Sequence, residues 1–138
     1  MPDASFLSMT GAKLEAIAGK AALANSVLHA FKFGFNPSVT TPLSEFTANE
    51  CDFDGYAPIT IVTWADPVLA GAAYAIFAPT QAFRWDHDTD DIGNAVGGVF
   101  LVTAGGDLYQ YTIFDPSRPC QGPDQAVIVT PTDVYPAG

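Results

Sequence analysis

The chain has 138 residues, enough for one domain with its own core, and 49% of them are hydrophobic, which excludes a disordered chain. It carries 15 acids against 5 bases, a net charge of -10. Lys13, Lys20, Lys32, Arg84 and Arg118 are scattered, so the clustered basic surface that nucleic acids and anionic membranes require is excluded.

Charged residues make up only 14%, against roughly 25% in an ordinary soluble domain. A surface so poor in charge is expected to be partly covered, in a homo-oligomer or an assembly. No apolar run reaches the roughly 20 residues of a membrane span. The opening Met1-Pro2-Asp3-Ala4-Ser5 lacks the basic region of a secretory signal. Cys51 and Cys120 have no CxxC spacing. They read as two free thiols, although a disulfide closing the long loop between them is not decided by sequence.

The first element is a helix over 10–24, TGAKLEAIAGKAALA, with Thr10 as its N-cap. Leu14, Ile17, Ala18 and Ala21 recur at helical spacing, and Gly19 weakens the interior by about 1 kcal/mol. Residues 1–24 therefore form an arm. Its apolar side is expected to dock on its own body, a neighbouring copy or a larger partner.

After Asn25 the period changes to two. In SVLHAFKFGF, residues 26–35, Val27, His29, Phe31, Phe33 and Phe35 share one face of a strand. Asn36-Pro37 ends it. Residues 36–58 are rich in Thr, Pro and Ser, with Leu43, Phe46, Phe53 and Tyr56 as anchors. Leu43 to Thr47 fits either a helical turn or a short strand.

Strands are expected at Ile59–Trp64, Tyr74–Ala78 and Gln81–Trp85, the last two either one interrupted strand or two short ones. The clearest hairpin pairs 98–103 with 108–114 around Ala104-Gly105-Gly106-Asp107, because Gly-Gly supplies the positive φ of a tight turn. Asp115 to Pro119 reads as a turn-rich exit, Ala126–Thr130 as the last strand, and the tail from Pro131 as irregular. The fold expected is mainly β, an antiparallel sandwich or barrel with a short N-terminal helical arm. Residues 1–24 form the arm and 25–138 a single β domain.

The run Asp86-His87-Asp88-Thr89-Asp90-Asp91 looks most like chemistry. Asp86, Asp88 and Asp90 have the alternate spacing of a calcium loop, but Asp91 and Gly97 stand where that loop needs Gly and Glu. The preferred reading is a solvated connection whose charges blunt edge-to-edge pairing. His87 has no positioned partner in sequence, and His29, among phenylalanines, reads as a buried, hydrogen-bonded histidine. No G-x-S-x-G elbow or phosphate-binding glycine loop is present, and Gly93, Gly97, Gly98, Gly105 and Gly106 match neither nucleotide pattern. Trp64, Trp85, Tyr109 and Tyr111 could line a sugar platform, but strand positions favour packing. No catalytic, cofactor-binding or metal-ligating residue is assigned, and no enzyme activity is expected.

The stretch LHAFKFGFNPSVTTPLSEFTANECDFDGY, from Leu28 to Tyr56, resembles small structural proteins of tailed bacteriophages. The shared features are Leu28, Phe31 and Lys32 on a strand, then Thr41-Pro42. After them come Leu43, Glu45, Phe46 and Thr47, and then Asp52, Phe53, Gly55, Tyr56 and Ala57. The hairpin beginning at Gly98-Val99-Phe100 and the pair Phe114-Asp115 also fit. Gly34-Phe35 departs from the pattern and puts the turn before Asn36 in doubt. The resemblance implies a virion structural protein, a decoration or minor capsid subunit assembled in the host cytoplasm. Its partners would be the major capsid protein or other virion proteins. A fibre or glycan-binding surface module is the alternative.

Overall fold

The computed structural model describes residues 3, 5, 7–71, 73–77, 83–87, 94–120, 125–129 and 132–136. In chain order the elements are α1 (Met9–Leu23), β1 (Ser26–Lys32), α2 (Leu43–Ala48), β2 (Ile59–Ile61), β3 (Val68–Ala70), β4 (Ala73–Phe77), β5 (Phe83–His87), β6 (Asn94–Val102), β7 (Leu108–Cys120), β8 (Gln125–Val129) and β9 (Thr132–Pro136). They form a mixed α/β structure with an N-terminal helix and an open four-stranded antiparallel sheet in the order β2-β1-β6-β7. Contacts divide the chain into two compact units: residues 1–24, 61–82 and 130–138, and residues 25–60 and 83–129.

In the first unit, β3, β4 and β9 make a three-stranded antiparallel sheet on which α1 packs. The N-cap is Ser8 rather than Thr10. The Ser8 hydroxyl accepts a hydrogen bond from the Gly11 amide at 3.0 Å, and Thr10 lies inside the first turn. Of the docking partners left open for the arm, its own body meets a different side of the helix. Ala12, Ala16, Gly19 and Leu23 are buried, whereas Leu14, Ile17, Ala18 and Ala21 face outward.

Small residues let the helix axis lie close to its support, and Gly19 is required there. A Cβ at that position would overlap the Tyr135 ring. The Trp64 indole donates to the Leu23 carbonyl at 3.1 Å, satisfying one of the orphan acceptors at the helix end. Two strands of this unit were not expected from sequence. β3 precedes a turn at Gly71 (φ 64°), and β9 occupies the tail read as irregular.

In the second unit, β1 and β6 run antiparallel with Val27 opposite Val102 and Phe31 opposite Gly98. A register shift between Phe31 and Lys32 ends the alternation expected through Phe35. Phe33 is consequently 68% exposed, while the Phe35 ring meets Phe31 edge-on at 5.4 Å. Gly98 accommodates that approach, since a Cβ there would overlap the Phe31 ring and the Thr112 carbonyl.

Phe31, Phe46 and Phe100 form the core cluster, with Phe35, Leu43, Val102, Leu108 and Tyr111 packed around it. Leu43 and Phe46 sit three apart, so α2 presents both to the sheet. Of the two readings of Leu43–Thr47, the helical one is correct. Each fully buried phenylalanine contributes about 1.5–3 kcal/mol.

The hairpin of β6 and β7 turns through Thr103–Asp107, closed by the Thr103 amide to the Asp107 carbonyl at 2.8 Å. β7 continues past Asp115 to Cys120, so the segment read as a turn-rich exit is strand. The Arg118 guanidinium lies 3.9 Å from the centre of the Phe114 ring and donates to the Ile128 carbonyl on β8. β5 pairs antiparallel with β8, placing Asp86 opposite Ala126 and His87 opposite Gln125. The strand expected at Ile59–Trp64 is shorter, because β2 stops at Ile61.

Candidate functional site

The second unit concentrates its buried polar chemistry along the outer edge of β1. The Cys51 amide donates to the Ala30 carbonyl at 2.9 Å, and the Lys32 amide to the Asn49 carbonyl at 2.8 Å. A bridge between Phe31 and Glu50 completes the contact. Residues 49–51 thus satisfy backbone groups that an open sheet edge would leave to solvent.

Side chains lock this strap down. One Glu50 carboxylate oxygen, Oε2, lies 2.6 Å from His29 Nδ1 and accepts a hydrogen bond from the Tyr56 hydroxyl at 2.5 Å. The same hydroxyl accepts from the Ala30 amide at 2.9 Å. A carboxylate only accepts, so Nδ1 carries the hydrogen and Nε2 is the remaining ring nitrogen. The His29 and Glu50 side chains are 19% and 20% exposed. The imidazole stacks on Phe100 with ring centres 4.7 Å apart and planes 10° from parallel. Lys32 pairs with Asp52 at 3.0 Å on the exposed side.

Burial pushes the Tyr56 phenol well above its ordinary range, and the hydrogen bond to Glu50 adds to the shift. Cys51 is pushed up to about 12, chiefly by burial, with Lys32 opposing. Neither cysteine is in a disulfide, and both are buried. Such thiols are inert rather than nucleophilic. In the first unit, the hydrogen bond from Lys20 holds the Asp66 carboxyl below its ordinary value.

His29 therefore stands where the sequence placed it, among phenylalanines and hydrogen-bonded. Its partner Glu50 was not foreseen. It lies 21 residues away in a segment read as a Thr/Pro/Ser-rich connection, and no local pattern links the two. Through the shared Glu50 carboxylate, His29 and Tyr56 clasp the strap onto β1.

The other candidates separate. Asp86 and His87 lie on β5, while residues 88–91 of the aspartate run lie outside the described residues. Gly97, at the twelfth position of the calcium-loop pattern, is inside β6. A Cβ there would come 2.9 Å from the Phe33 Cα, so its glycine is structural. Among the described residues no group of three or more His, Cys, Asp or Glu is arranged to hold a metal ion. Trp64 and Trp85 are both buried, Trp85 donating to the Ala57 carbonyl at 2.7 Å and packing on Tyr56. Neither belongs to an exposed sugar platform. Tyr111 packs against Phe46, and Tyr109 is exposed.

On the outer side of α1, Leu14 is 62% and Ile17 47% exposed. Comparison with known proteins finds no matching family model, no matching curated protein and no matching solved structure.

Proposed function

We propose that the protein is a non-enzymatic structural subunit of a virion, a decoration or minor capsid subunit carried on the head of a tailed bacteriophage. The observation that carries this reading is the inversion of α1. The helix turns Ala12, Ala16, Gly19 and Leu23 inward and Leu14 and Ile17 outward. Apolar surface gains roughly 25 cal/mol for each Å² removed from water, so an outward aliphatic face favours an assembled state. Low charge density and the resemblance of residues 28–57 to phage structural proteins support the same reading. The alternative fibre or glycan-binding module is disfavoured, because Trp85, its main candidate contact, is buried.

The finer expectation of a sandwich or barrel belongs to this reading. Leu28, Ala30, Val99 and Leu101 are buried on one face of the four-stranded sheet, and Phe31 and Phe100 on the other. A sheet covered on both faces is what a layered β subunit requires.

Quantitative mass spectrometry of purified virions tests the proposal. A copy number matching the shell lattice is expected. A number matching a single vertex would move the protein to the portal, tail or fibre, and absence from the particle would overturn the structural role.

A further inference from the structure

We infer that Arg118, with Arg84 beside it, forms a carboxylate-binding site at Ile128 on β8. Trp85 is buried on one face of the β5–β8 ribbon. On the alternate face Arg84 is exposed, and Ile128 stands directly opposite it, 48% exposed. Arg118 reaches the same residue from β7, its Nη1 donating to the Ile128 carbonyl at 2.9 Å. Two of the chain's 5 bases therefore meet at one residue of a protein with 15 acids.

The Arg118 guanidinium is held in place before any ligand arrives. It lies 3.9 Å from the centre of the Phe114 ring, and the Ile128 carbonyl fixes its rotation over that ring. Lys20 and Lys32 are paired with Asp66 and Asp52, whereas Arg118 is exposed and makes no ion pair among the described residues. The bond to Ile128 uses Nη1. The hydrogens of Nε and Nη2 lie parallel along another edge, which that bond leaves clear. Such an edge matches the two oxygens of a carboxylate.

Charge and shape select the ligand. A net charge of -10 repels a phosphate dianion more than a single carboxylate. Two arginines also fall short of the basic surface that tracks a nucleic-acid backbone. The exposed Ile128 side chain favours a carboxylate carried next to an apolar group. An acidic side chain of another protein and a free carboxylic acid both have that chemistry. A prepositioned guanidinium lowers the cost of binding, while exposure to water keeps the affinity low, with Kd on the order of 1 mM. The inference goes beyond the virion reading and does not rest on it.

Titration of the full chain at constant ionic strength, followed by NMR at the Arg118 Nε–H, is the test. Propionate serves as the free acid and an end-blocked Leu-Glu-Leu peptide as the protein source. A saturable shift is expected. Tighter binding of the peptide assigns the site to an acidic protein segment, and equal or tighter binding of propionate assigns it to free acids. Arg118→Lys keeps the charge without the planar edge and should weaken binding several-fold. Arg84→Gln leaves the Phe114 stack untouched and should weaken it a few-fold, with an unchanged near-ultraviolet spectrum.

If Arg118 only ties β7 to β8, neither carboxylate moves its Nε–H. The absence of a saturable shift up to about 50 mM, far beyond the expected affinity, would overturn the inference. Full affinity in Arg118→Lys would overturn the role of the planar edge, and tighter binding of inorganic phosphate would overturn the choice of carboxylate.

Discussion

Removing the Glu50 carboxylate should open the strap over β1. Glu50→Ala deletes the acceptor shared by His29 Nδ1 and the Tyr56 hydroxyl. Each lost hydrogen bond to a charged group is worth about 1.5–3 kcal/mol. The side chains of His29 and Glu50 are about four-fifths buried, so water recovers part of that loss. The tyrosine keeps its bond from the Ala30 amide. The expected destabilisation is thus about 2–3 kcal/mol, at or below the bottom of the summed range of about 3–6 kcal/mol.

Glu50→Gln keeps an acceptor and gives up the charge, so it should cost about half as much. Urea unfolding measures both. Hydrogen exchange locates the effect, with faster exchange expected at the amides of Lys32 and Cys51, which bond across the strap. A double-mutant cycle with His29→Phe should show a coupling energy above about 0.5 kcal/mol. If Glu50→Ala lies within about 0.5 kcal/mol of wild type, the range of ordinary surface substitutions, the clasp contributes nothing and the reasoning is refuted.

Further outcomes follow from the same geometry. Ser8→Ala should destabilise by about 1 kcal/mol and Thr10→Ala by much less, read by thermal unfolding, because Ser8 is the cap. Gly98→Ala should unfold the second unit or shift β1 against β6, seen as loss of the native near-ultraviolet spectrum, since the added methyl meets a backbone carbonyl and a ring. Cys51 should resist thiol reagents in the native state and react once unfolded.

The pH dependence of stability carries the same signature. Cys51 is raised from 9.0 to about 12 and Tyr56 is raised as well. Both are neutral when protonated, so their contribution is complete below the unfolded values and fades as pH climbs from about 9 toward 12. A stability profile flat across that window would contradict the burial of both groups.

Where one local rule dominates, the sequence was readable. Gly105-Gly106 marked the hairpin of β6 and β7, and the β-branched and aromatic runs marked β1, β4 and β8. Leu43, Phe46, Phe53 and Tyr56 were readable as anchors because apolar residues in a polar segment have one thermodynamic use. Long-range pairing was not readable. β9 was missed because Pro131, Asp133 and Pro136 break up the strand formers Thr132, Val134 and Tyr135, and the strand is held by pairing with β4. β7 runs through two prolines because it lies at the end of the sheet order, where proline is tolerated. The Glu50–His29 contact joins two segments that no periodicity connects.

Which side of α1 meets the body was not readable for a different reason. Periodicity identifies which residues share a side of a helix and says nothing of which side meets the body. The usual inference adds that bulk goes inward, because burying leucine and isoleucine gains more than burying alanine. Here the close approach of Tyr135 to Gly19 and the indole cap at Leu23 fix the small side inward. Both sides of α1 therefore carry apolar residues, one side matched to its own sheet and one exposed.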